Sequence, residues 1–181
     1  MPSLRYQVMA MEEELEGPMT VTAVSWLRSY EGDDWAIYYD VSLYMGLCDQ
    51  DDLISEFDQN YVPGTRELVF SADSLYLEGE AWEWLTLTLD EPFEYSGEGN
   101  LVMELTRRDA EDTNLFSFRW YTAEYRTVLE VDPEAQFGYA NTVAAMLRID
   151  YASTGLSRMT WPGIKALRPA REPAVSCTSR E

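Results

Sequence analysis

Residues 84–105 read WLTLTLDEPFEYSGEGNLVMEL, and this stretch decides the fold class. Leu85, Leu87 and Leu89 alternate with Thr86 and Thr88, the period of a strand with one face buried. Leu101, Met103 and Leu105 repeat the pattern beyond a centre rich in turn residues. Pro92 cannot donate to a ladder and is expected to stop the first strand. Gly97 and Gly99 allow backbone angles that other residues resist. Phe93 and Tyr95 can tuck under the loop, and the Asn100 amide can bond backbone groups. The stretch therefore reads as a hairpin whose loop fixes strand register and performs no chemistry.

Working outward, the same period recurs. LRYQVM at 4–9 reads as a strand, and so does MTVTAVSW from Met19, with Met19, Val21, Ala23 and Ser25 on one face and Thr20, Thr22, Val24 and Trp26 on the other. Residues 35–47 suit one bent strand or two short ones. RELVFS (66–71), FSFRWYT (116–122), RTVLEV (126–131) and VAAMLRIDY (143–151) complete the set. In DQDDLISEF (49–57) the period changes: Leu53, Ile54 and Phe57 stand at helical spacing behind a capping Asp, which predicts one or two helical turns. The expected architecture is all-β, an antiparallel two-sheet β-sandwich, jelly-roll-like, of eight to ten strands with one short helix. The sandwich is expected over 1–151. Residues 152–181, rich in Pro, Ser and Arg, read as a C-terminal extension that docks or donates a strand to a neighbour.

The bulk chemistry narrows the function. With 33 acidic and 13 basic residues the 181-residue chain carries a net charge of −20, which disfavours nucleic acid and anionic lipid. No apolar run approaches the length of a membrane-spanning helix. Histidine is absent, so a Ser-His-Asp or Cys-His arrangement cannot form within the chain. No phosphate-cradling glycine motif is present. Two cysteines, Cys48 and Cys177, make no disulfide framework and read as two free thiols. The opening residues, MPSLRYQVMAMEEELEG, lack the basic start and apolar block of a secretory signal. The expectation is an intracellular protein, or one whose leader preceded this numbering.

Three groups of side chains remain as candidates. Glu104 and Asp40 would be the pair for a two-carboxylate glycosidase, a weak reading in so acidic a chain. Asp49, Asp51 and Asp52, followed by Glu56 and Asp58, offer the oxygen ligands that calcium takes from loops, although DQDDLISEFDQN lacks the EF-hand glycine and glutamate spacing. Trp82 and Trp84, at i and i+2 of a strand, would share a face; with Trp35 they form a platform for sugar rings if that face is open, and core if it is closed.

The combination W-x-W-L-x-L-x-L-x-x-PF-x-Y-x-G-x-x-NL-x-x-E, carried by Trp82, Trp84, Pro92, Phe93, Tyr95, Gly97, Asn100, Leu101 and Glu104, resembles a β-sandwich module of secreted bacterial surface proteins. Such modules occur in multidomain adhesin-like proteins of Bacteroidetes and related phyla. The likeness covers roughly residues 4–151, and PF-x-Y-x-G-x-x-NL is its most specific part. Cys48 departs from the pattern, standing where a polar residue such as Thr is expected. The resemblance implies a non-catalytic extracellular or cell-surface protein, a structural or adhesive subunit that self-assembles into a surface layer or filament. Its expected partners are copies of itself or other surface proteins, with no nucleic acid and no membrane insertion. The alternative is a carbohydrate-binding module that uses exposed aromatics on glycans, with structural calcium.

Overall fold

A computed structural model describes residues 3–108, 118, 120–152 and 158–160, with the backbone alone at residues 123 and 158–160. Ten strands form two antiparallel sheets: β1 (Leu4–Ala10), β2 (Met19–Leu27), β3 (Trp35–Cys48), β4 (Glu67–Glu78), β5 (Trp84–Tyr95), β6 (Asn100–Arg108), β7 (Trp120–Glu130), β8 (Tyr139–Ala145), β9 (Leu147–Ala152) and β10 (Arg158–Thr160). The larger sheet has the order β4-β3-β6-β1-β7-β8 and the smaller the order β10-β9-β2-β5. The protein is thus the expected all-β sandwich. Val8, Val21, Val24, Leu43, Met45, Leu87, Leu101, Met103 and Leu147 fill the space between the layers, as alternating inward residues of two facing sheets must.

The opening stretch is not a hairpin. β5 pairs with β2 at the edge of the small sheet, whereas β6 pairs with β1 and β3 inside the large one. Residues 96–99 carry the chain across the core from one sheet to the other. Leu85, Leu87 and Leu89 therefore face Leu101, Met103 and Leu105 across the sandwich and do not lie beside them. Nor does Pro92 end β5, which continues to Tyr95. Its missing N–H is harmless because β5 is an edge strand and leaves its partner locally, between Val21 and Ala23 of β2.

That irregularity also corrects the facing of β2. Met19 and Val21 point inward, and then, with Thr22 inserted, Val24 and Trp26 do so too. Asp40 serves β3 in the same way. It sits at φ +48 where the register with β6 shifts, and Tyr38 and Val41 on either side of it are both buried. Asp tolerates this left-handed geometry better than a branched residue would. The predicted closing strand 143–151 is two strands, β8 and β9, in different sheets on either side of Met146. Residues 49–57 form no helix. Among the described residues the helical turns are single 3₁₀ turns at Glu12–Glu14 and Phe57–Asn60.

The segment from Asp49 to Arg66 instead folds back over the outer face of the large sheet. Leu53, Phe57 and Tyr61 are buried there against Met9, Val102 and Val128, which point away from the main core. This third layer hides a face that would otherwise be wet. β1 lies inside the large sheet, between β6 and β7. Within the extension that follows residue 151, β10 adds to β9 of its own chain. Residues 161–181, including Cys177 and the segment expected to dock, lie outside the described residues.

Candidate functional site

The sandwich has two ends of different character. At one end, Phe93 and Tyr95 are buried, and the Tyr95 hydroxyl donates to the Gly99 carbonyl at 2.6 Å. Gly97, at φ +86, packs so closely on Pro18 that a Cβ there would lie 2.6 Å from the proline ring. The Asn100 side chain accepts from Glu12 N at 2.8 Å and donates to the Gln50 carbonyl at 2.7 Å, tying two loops to the start of β6. The PF-x-Y-x-G-x-x-NL motif is therefore a seal, with Phe93, Tyr95, Gly97, Asn100 and Leu101 committed to structure.

Glu104 is also committed. Its carboxylate is fully buried on the outer face of the large sheet, under the third layer. Arg5 donates to it through Nε and Nη2, each at 3.2 Å, Gln7 Nε2 at 2.6 Å, Arg66 Nη2 at 2.7 Å and the Tyr61 hydroxyl at 3.4 Å. Arg5 spends its remaining donors on Asp58 and the Ala135 carbonyl, and Asn60 ties Gln7 to the backbone of Ile54. Burial first, and then the Glu104 charge, hold the Tyr61 phenol well above its ordinary value, so it stays a donor. This is a satisfied buried network whose oxygens are closed off from solvent. Asp40, the other carboxylate of the glycosidase reading, is exposed and sits 3.8 Å from Arg108, at the far end of the β3–β6 pairing. The structure does not bring the two together.

Asp49, Asp51 and Asp52 are exposed on the loop that leaves β3. Among the described residues no three Cys, Asp or Glu side chains converge to hold a metal ion. Burial raises the Cys48 thiol pKa, despite a backbone hydrogen bond at Gln50, so the thiol is poorly disposed to react.

The opposite end is open. Between the sheets lies a cavity of about 300 Å³ whose walls include Trp26, Leu75, Leu77, Leu85, Leu105 and Val143. Among the described residues of its lining Arg107 alone is charged; its guanidinium carbon stands 4.3 Å from the centre of the Tyr38 ring. Burial raises the Tyr38 phenol, with Arg107 opposing that shift, and burial raises Tyr6 as well.

Two of the three predicted tryptophans sit on the rim of this end. Trp35, 42% exposed, stacks on Tyr76 with ring centres 6.3 Å apart. Trp82, 54% exposed, lies 6.1 Å from Tyr30. It occupies the turn before β5 at φ +70, a costly conformation for so bulky a residue. Because it is outside the strand, it shares no pleated face with Trp84. Trp84 is half-buried on the outer face of the small sheet, 5.2 Å from the Arg148 guanidinium. Arg28 organises the Tyr30 loop by donating to the carbonyls of Ser29, Gly32 and Asp33.

The edges of the sheets differ as well. β4 carries Glu67, Asp73 and Glu78; β5 carries Asp90, Glu91, Pro92 and Glu94; β10 is three residues long. Charge, proline and shortness are the usual defences against edge-to-edge pairing. β8, YANTVAA, has none of them. Tyr139 on it is 77% exposed, and Phe137 and Trp120 beside it are 55% and 60% exposed. Sequence reasoning missed Arg107 and the start and edge position of β8, of which only 143–145 fell in the strand expected over 143–151. The uncharged run 137–145 was a readable signal for β8, but only the topology makes that run an edge. No protein-family model, no curated protein and no solved structure matches this chain.

Proposed function

We propose that this chain is a non-catalytic structural or adhesive subunit that joins copies of itself through β8, as a surface layer or filament component outside the cell. The observation that carries the reading is the contrast among the four sheet edges of the described residues, of which β8 alone is both long and free of charge and proline. A chain of net charge −20 repels its copies almost everywhere. Two β8 strands laid antiparallel bring no charged side chain of either strand into opposition, and such a two-fold contact is self-complementary and closed, so it makes the pair from which a layer or filament would be built through a further contact. The exposed aromatics around it suit the centre of an interface. The commitment of Glu104 and Cys48 to the interior fits a protein without a reaction centre. The extracellular setting rests on the resemblance of the PF-x-Y-x-G-x-x-NL motif alone.

Sedimentation of the whole chain tests the reading. Association is expected to strengthen with protein concentration and with salt, which screens the acidic surfaces. Ala140→Lys, a change at an exposed position of β8, is expected to give monomer. A wild type that stays monomeric throughout, or an Ala140→Lys variant that associates as before, removes the proposal.

A second reading has its own observation. The stacked Trp35–Tyr76 pair and the Trp82–Tyr30 pair lie exposed on one rim, and Trp82 holds a strained backbone. Exposed aromatic faces of this kind suit the apolar faces of sugars. Under this reading a glycan array gives binding that Trp35→Ala and Trp82→Ala each abolish. An array blank for the wild type rejects it.

A further inference from the structure

We infer that Asn141 guards the β8 edge, and that a second copy of this chain pairs there only by taking the Thr142 N–H from the Asn141 side chain. The inference rests on the β8 reading and adds the control of that same contact. Asn141 Oδ1 accepts from Thr142 N at 2.7 Å. An asparagine bonded this way competes with a sheet ladder for the backbone donor. The edge that lacks charge, proline and shortness therefore carries a milder defence, one that a partner strand can displace.

Two observations put the guarded donor on the outer side of the strand. The Thr127 hydroxyl of β7 donates to the carbonyls of Val143 at 2.7 Å and Asn141 at 3.5 Å, so both carbonyls turn toward β7. Backbone groups alternate in direction along a strand, so those of Thr142, between them, turn away from β7. The register agrees. It passes from Asn141↔Thr127 to Val143↔Thr122, which leaves residues 123–126 of β7 bulged opposite Thr142. Tyr125 sits in that bulge at φ +51, and its carbonyl accepts from Leu53 N at 2.8 Å. The segment that covers the large sheet thus pins the bulge, and β7 is not free to claim Thr142. Thr142 itself is exposed, and it is the middle residue of the seven in β8. When two β8 strands meet about a two-fold axis through their middles, the Thr142 residues face each other. Each copy then gives up one guard, so the effect of removing it acts twice.

The test compares the whole chain with Asn141→Val by amide hydrogen exchange and by sedimentation. In dilute protein, where copies are apart, the Thr142 amide is expected to exchange about fivefold faster in Asn141→Val than in the wild type. The same variant is expected to associate about twenty-five-fold more tightly, about fivefold for each copy. Thr142→Val adds apolar surface at the same edge with the guard in place. Its residue 142 amide is expected to keep the protection seen in the wild type, which separates loss of the guard from a greasier strand. Asn141→Ala removes the same acceptor should Asn141→Val not fold. The inference is overturned if the Thr142 amide exchanges equally fast with and without the Asn141 side chain, or if the Asn141 variants associate no more tightly than the wild type. Where that happens and Ala140→Lys still abolishes association, the guard falls and the β8 reading stands. Where no form associates at any concentration, both fall.

Discussion

The two ends of this sandwich are built from the same ten strands and the same alternating pattern, yet they finish differently. At the sealed end the turn residues of 92–100 close the gap between sheets. Tyr95 reaches Gly99, Gly97 packs on Pro18, and Asn100 binds two loops. From that end the 49–66 segment also folds back to cover Glu104. At the open end the strands run out into a cavity, a rim of stacked aromatics and the undefended edge of β8. The difference teaches where this chain places its chemistry. Its strongest polar interactions hold the sealed half together, and its accessible apolar and aromatic surface lies in the open half.

The largest expected effect breaks the sealed half. Glu104→Gln leaves the Arg5 guanidinium, whose side chain is 9% exposed, beside a neutral amide. Losing one member of a buried charge network costs about 3–5 kcal/mol, which urea unfolding would register as a lowered midpoint. A matched pair sharpens the comparison. Leu101→Ala, at a fully buried site in the sealed half, should cost about 3 kcal/mol. Leu77→Ala, half-buried at the cavity wall, should cost only about 1 kcal/mol, because part of its surface already lacks neighbours. Equal losses at the two sites would mean that the open end is as tightly packed as the sealed one. Gly97→Ala should cost about 1–2 kcal/mol through both its positive φ and the contact with Pro18, without changing association.

The smallest effect is one of pH. Tyr38 at the open end and Tyr61 in the buried Glu104 network are both held above the ordinary phenol value of 10.0, by burial first in each case. The unfolded chain ionises these phenols near that value while the folded chain keeps their protons. Their contribution is thus fully present below about pH 10 and is lost as pH rises through the folded values. Thermal midpoints measured across this range should fall on the alkaline side. The fall should be shallower in Tyr61→Phe, which has one fewer phenol to ionise.

Much of the sandwich was legible because alternation states that one face of a strand is buried. Alternation does not say what lies opposite. Leu85–Leu89 and Leu101–Leu105 look the same whether their strands pair in one sheet or face each other across the core. That is why a crossover reads as a hairpin. The apolar residues of 49–57 misled for a related reason. Leu53 and Phe57 stand one helical turn apart, but covering the outer face of the large sheet buries both without a helix, and Ile54 is left 40% exposed. The structural role of PF-x-Y-x-G-x-x-NL was readable, since its glycines and Asn carry local backbone chemistry. The Glu104 lock was not. Arg5, Gln7, Asn60, Tyr61, Arg66 and Glu104 are scattered along the chain and meet only through strand order. Of the tryptophans, read as a sugar platform if open and as core if closed, Trp35 and Trp82 are exposed, while the strand geometry assumed for Trp82 is not the one found.

The claim that β8 joins copies of this chain is tested most directly by amide hydrogen exchange at rising protein concentration. The account predicts that amides within 139–145 become more protected as concentration increases, while those of the β4 and β5 edges stay as they were. Protection that is independent of concentration at β8, or that grows instead at β4 or β5, would contradict it.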